Sequence, residues 1–120
     1  MRLHSITLFV AAVATGASSL GAHAHLVKSN PPANAVTANP ATLSLTFSER
    51  LVPGFSKLEL WKTMAGHNMA VPVKTAVAAD GRTLIGTPQR SLMKGAYLIR
   101  WTAATSDGHK MTGSLPFRVG

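Results

Sequence analysis

The chain has 120 residues, 12 Lys and Arg against 4 Asp and Glu, a formal net charge of +8 and no cysteine. The missing thiols exclude disulfides, zinc–thiolate sites, cysteine nucleophiles and blue-copper centres, so a metal would have to be held by His, Met, carboxylate or the chain terminus. The basic residues stand singly, no two adjacent, and no helical pattern gathers them on one face; nucleic acid is therefore not an expected partner, and the charge reads as a solvated basic surface.

In chain order, residues 1–22 (MRLHSITLFVAAVATGASSLGA) carry Arg2 near the start, an apolar run from Ile6 to Val13 and small residues up to Ala22. This is the pattern of a cleaved Sec-type signal peptide, and the apolar run is too short to span a bilayer. Removing it takes away one basic residue and no acid, leaving residues 23–120 as one exported domain of 98 residues with net charge +7. Cleavage after Ala22 makes His23 the first residue. Cleavage after Ala24 makes it His25 and gives the better A-x-A signal.

Short runs with β-type patterning follow, separated by turn residues and without helical periodicity. Strands are expected at His25–Ser29, Leu43–Phe47, Ser56–Lys62, Val71–Val77, Thr83–Thr87, Ala96–Thr105 and Gly113–Val119. The punctuation between them is NPPANA, NP, VPG, ADG and KG. Seven short strands in a chain of this size predict an all-β sandwich or barrel. Alternation assigns Leu43, Leu45 and Phe47 to one face, Tyr97, Ile99 and Trp101 to another, and Leu115, Phe117 and Val119 to a third.

Four places could carry chemistry. In SDGHK, Asp107 and His109 are two residues apart; in extended chain they would project together and could reach one metal ion, or the Asp could simply brace a turn. A histidine at the mature terminus adds a ring nitrogen and an α-amine that a metal can deprotonate near neutral pH. With Asp107 and His109 it would complete a tetragonal N,O set suited to Cu(II). If the chain begins His23-Ala24-His25, a competing mode is open, using the amine, two deprotonated amides and the ring of the third residue. In MAGHNM, read as a Gly-containing loop, Met64, His67 and Met69 are soft donors suited to Cu(I), or core fillers. Glu49 is either a salt-bridge partner of Arg50 or Arg100, or an outer carboxylate orienting a ligating histidine.

Taken together, HAHLVKSNPPANA, LSLTFSERLVPGFSKLEL, AYLIRWTAATSDGHKMTG and SLPFRV resemble, in this order, the CopC family of periplasmic copper-resistance and copper-trafficking proteins. The resemblance implies a seven-stranded antiparallel Greek-key barrel or sandwich of Ig-like, cupredoxin-like type. It also implies a Cu(II) site at His23, Asp107 and His109 with Glu49 close by, and aligning HAHL with the family's His-x-x-Leu start favours His23 over His25. Some members hold Cu(I) in a methionine-rich loop; Met64, His67 and Met69 fall in that place, with fewer methionines than the fullest versions. The expectation is a monomeric, non-enzymatic periplasmic protein that buffers or delivers copper, with an inner-membrane copper transporter as partner. The rival is a histidine-brace oxidase acting on polysaccharide, like the lytic monooxygenases; the small size and the carboxylate in the site weigh against it.

Overall fold

The computed structural model describes residues 24–120, so the expected signal peptide and His23 lie outside the described residues. The strands are β1 (Leu26–Asn30), β2 (Val36–Thr37), β3 (Leu43–Phe47), β4 (Lys57–Met64), β5 (His67–Val71), β6 (Val73–Val77), β7 (Thr83–Pro88), β8 (Gly95–Ala104) and β9 (Lys110–Val119). They form two sheets, β1-β3-β7-β6 and β2-β9-β8-β4-β5. Pairing is antiparallel except for the short β2, which lies parallel to β9. The only helical element among the described residues is one 3-10 turn, Pro53–Phe55.

The all-β expectation holds, as a sandwich with nine strand segments rather than seven. Two segments account for the difference. Val36–Thr37 sits among prolines and is too short to show a pattern. MAGHNM is not a loop: β4 runs on to Met64, β5 starts at His67, and only Ala65 and Gly66 turn between them.

The faces assigned by alternation are the ones that close the core. Leu43, Leu45 and Phe47 of β3 meet Leu58 and Leu60 of β4, Leu84 of β7, Tyr97 and Ile99 of β8, and Leu115, Phe117 and Val119 of β9, all buried. Non-directional burial of this apolar surface is the main term holding the sheets together. At one end Trp101 packs edge-on against Phe47 with ring centroids 5.0 Å apart, and its indole nitrogen is buried without a hydrogen-bond partner among the described residues. Its cross-strand neighbour is Gly113, where a Cβ would lie 2.2 Å from the indole. Only glycine leaves room for the ring.

Candidate metal centre

The residues around the expected site are drawn to one end of the sandwich by a chain of backbone hydrogen bonds. The N–H of His25 donates to Ser48 Oγ at 2.9 Å, and the N–H of Ser48 donates back to the His25 carbonyl at 2.9 Å. The chain entering β1 is thus clamped to the residue that follows β3, directly before Glu49. Ser48 is held in turn by Arg82, whose guanidinium donates to its carbonyl at 2.6 Å. Four residues on, the N–H of Val52 donates to the Ala104 carbonyl at 2.8 Å. Ala104 ends β8 and leads into the loop that carries Asp107 and His109.

That loop, residues 105–109, joins β8 to β9. The N–H of Gly108 donates to the Thr105 carbonyl and the N–H of Thr105 to the His109 carbonyl, both at 3.0 Å. Gly108 has φ +90°, a backbone conformation in which a side chain would be strained. Asp107 and His109 therefore meet through a tight turn rather than through the side-by-side projection expected of extended chain. Asp107 Oδ2 lies 2.8 Å from His109 Nδ1, while Oδ1 accepts from the Thr105 hydroxyl and from the His109 N–H. The Thr105 hydroxyl first, then the His109 ring and N–H, hold the Asp107 carboxyl well below the usual carboxylate range. Both side chains are partly open to solvent, at 53% for His109 and 42% for Asp107.

The chemical consequence concerns the imidazole tautomer. An ionised carboxylate only accepts, so in the neutral ring Nδ1 carries the proton and the lone pair falls on Nε2. This is the carboxylate–histidine arrangement that fixes a metal-binding ring. Among the described residues no three His, Asp or Glu converge on one point.

The other predicted residues are placed as follows. His25 is exposed and clamped to Ser48 through its backbone. Glu49 is half-buried, next to the clamp, and makes no ion pair among the described residues; Arg100, one of its expected partners, instead lies opposite Glu59 and over the Trp61 ring. Met64 and His67 are directly opposed, and Met69 is opposite Lys62, so all three donors share the face of the β4–β5 hairpin that continues the core-facing row of Leu58, Leu60 and Val71. There they are exposed, Met64 at 37% and Met69 at 49%, rather than filling the core. Thr105 and Ser48 were not singled out from the sequence; a hydroxyl two residues before the Asp in TSDGH is the signal that could have found Thr105.

Beside His109 the structure opens a cleft of about 350 Å³, lined also by Val52, Phe55, Ala104 and Lys110. Phe55 is 64% exposed, and Lys110 Nζ stands 5.6 Å from its ring centroid.

The fold is a two-sheet all-β domain with a carboxylate-paired histidine in the loop between β8 and β9. The family model that matches is the CopC domain, over residues 26–120, and the chain belongs to that family. Copper resistance protein C of Xanthomonas campestris pv. juglandis is 39% identical over 117 residues, covering 94% of this chain and 92% of the relative. The protein of the same name from Pseudomonas syringae pv. tomato is 38% identical, covering 98% and 96%. Among solved structures, PcoC, a methionine-rich copper resistance protein from Escherichia coli, superposes with a TM-score of 0.77 at 37% identity, covering 82% of this chain and 99% of that one.

Proposed function

We propose that this is a periplasmic copper-binding protein of copper resistance, which holds Cu(II) and buffers or delivers it. The ion is held by the α-amine and ring of His23 and by Nε2 of His109, with Asp107 as the carboxylate of the site and Glu49 close by. The observation that carries the reading is the 2.8 Å contact from Asp107 Oδ2 to His109 Nδ1. It prepares one imidazole nitrogen for a metal before any metal arrives, at the end of the sandwich where the N-terminal strand begins. The names of the relatives supply the metal.

The clamp at Ser48 bears on how an N-terminal histidine binds. A His-Ala-His terminus that used its backbone amides would need the His25 N–H deprotonated, but that N–H is engaged by Ser48 Oγ, and Ala24 before it is 1% exposed. The engagement of the His25 N–H supports chelation by amine and ring, joined by His109.

Cu(II) in this site is cargo, and the nitrogen donors suit its tetragonal preference, while the Asp107 carboxylate acts through His109 Nδ1 to hold the ring in place. The exposed face bearing Met64, His67 and Met69 is a second, softer site for Cu(I). The protein works as a monomer, and its basic surface guides it to an inner-membrane copper transporter. Replacing His109 with Ala tests the reading: Cu(II) affinity of the mature protein, measured by competition with a chromophoric chelator, is expected to fall by orders of magnitude. Unchanged affinity would overturn the assignment.

A further inference from the structure

We propose that Lys62 sets the strength of the Met64/His67/Met69 face, by fixing a positive charge at its base that keeps Cu(I) weakly held and readily released. This rests on the Cu(I) reading above. In the register of the larger sheet Lys62 is flanked by Met69 on β5 and by Tyr97 on β8. Two residues before Met64, it shares the face of all three donors. Its stem is packed: Cε lies 3.2 Å from the point a Cβ on Gly95 would occupy, and Nζ stands 5.9 Å from the Tyr97 ring centroid. Tyr97 is itself anchored, stacked on Phe117 and donating its hydroxyl to the Met93 carbonyl at 2.6 Å. A ring quadrupole attracts the ammonium without cancelling its charge, and among the described residues no carboxylate forms an ion pair with Lys62.

Two thioethers and a neutral imidazole carry no charge, so a Cu(I) ion bound to them keeps its full +1. The ammonium leans over β8, toward Gly95 and Tyr97, one strand from Met69. Two unit charges about 6–10 Å apart, in a medium between bulk water and a protein surface, repel by an amount that lowers affinity by about three- to tenfold. A tight store would place a neutral or sulfur side chain here; the lysine makes the hairpin a site that gives its ion up.

The experiment is a Cu(I) competition titration against bicinchoninate, without oxygen, on the full mature chain and its variants. Lys62→Leu, which removes the charge and adds no donor, is expected to bind Cu(I) about three- to tenfold more tightly, the ratio to wild type shrinking in high salt as screening sets in. Lys62→Arg, which keeps the charge, is expected to match wild type, and the gain is expected to vanish when Met64→Leu and Met69→Leu are added. Equal affinity of wild type and Lys62→Leu, with both above the Met64→Leu/Met69→Leu control, overturns the role of Lys62 and leaves the site standing. A gain that persists in that control background overturns the proposal, because the charge would then act on another site. If neither wild type nor Lys62→Leu exceeds the control, the three-donor site and the role of Lys62 fall together.

Discussion

Substituting Asp107 with Asn changes one atom and, by the geometry of the loop, inverts the histidine beside it. Oδ1 of Asp107 accepts from two donors, the Thr105 hydroxyl and the His109 N–H, so the amide oxygen of the asparagine has to take that position. Its NH₂ then faces His109 Nδ1, where Oδ2 stood at 2.8 Å. A donor there requires Nδ1 to accept, which moves the ring proton onto Nε2, the nitrogen proposed to bind copper. Metal binding must then reverse the tautomer and lose that contact, and perturbing an orienting carboxylate typically costs about 10–100-fold in metal affinity. The assay is Cu(II) competition at neutral pH on mature wild type and Asp107→Asn, with the His109 tautomer read by long-range ¹H–¹⁵N NMR of the metal-free proteins. The expected result is Nδ1–H in wild type, Nε2–H in the variant, and an affinity loss in that range. The same tautomer in both, or affinities within about twofold, would refute the reasoning.

Two further outcomes follow from the packing and the charges. Gly113→Ala puts a methyl 2.2 Å from an indole already wedged against Phe47; overpacking of this kind costs about 1–3 kcal/mol, which in a domain of about 100 residues lowers Tm by at least about 4 °C, whereas Gly54→Ala, with open space around it, is expected to leave the thermal unfolding midpoint unchanged. Acid sensitivity is set by carboxylates whose folded values are depressed: Asp107 as above, and Asp80, held down by the Thr83 hydroxyl and the Arg82 N–H. The unfolded chain binds protons more readily at these positions, so their contribution is present above the ordinary value of 3.8 and is lost as pH falls below it. Denaturant titrations from pH 5 downward are expected to show stability falling, with a shallower fall in Asp80→Ala.

The core was legible because LSLTF and AYLIRWTA alternate, and alternation is what a half-buried strand requires; Leu43, Leu45, Phe47, Tyr97 and Ile99 are all buried as that pattern demands. The β4–β5 hairpin was hidden by its own exposure. Beyond Leu60 the inward row continues with Lys62 and Met64 and returns through His67 and Met69, residues that break the apolar signal although the period of two persists. At the candidate metal centre the closeness of Asp107 and His109 could be read from their spacing, but their direct contact could not, since it depends on the turn at Gly108 and on the Thr105 hydroxyl. The Ser48 clamp was beyond reach for a different reason: it joins residues 23 positions apart, and nothing local in either segment marks the contact.

Copper is proposed to be held jointly by the amine of a terminal His23 and by His109. The most direct measurement is the Cu(II) affinity of the chain beginning at His23, with its α-amine free and with that amine acetylated. The free chain is expected to bind 1:1, with a loss of orders of magnitude on acetylation, comparable to the loss in His109→Ala. Equal affinities for the free and acetylated chains would contradict joint binding.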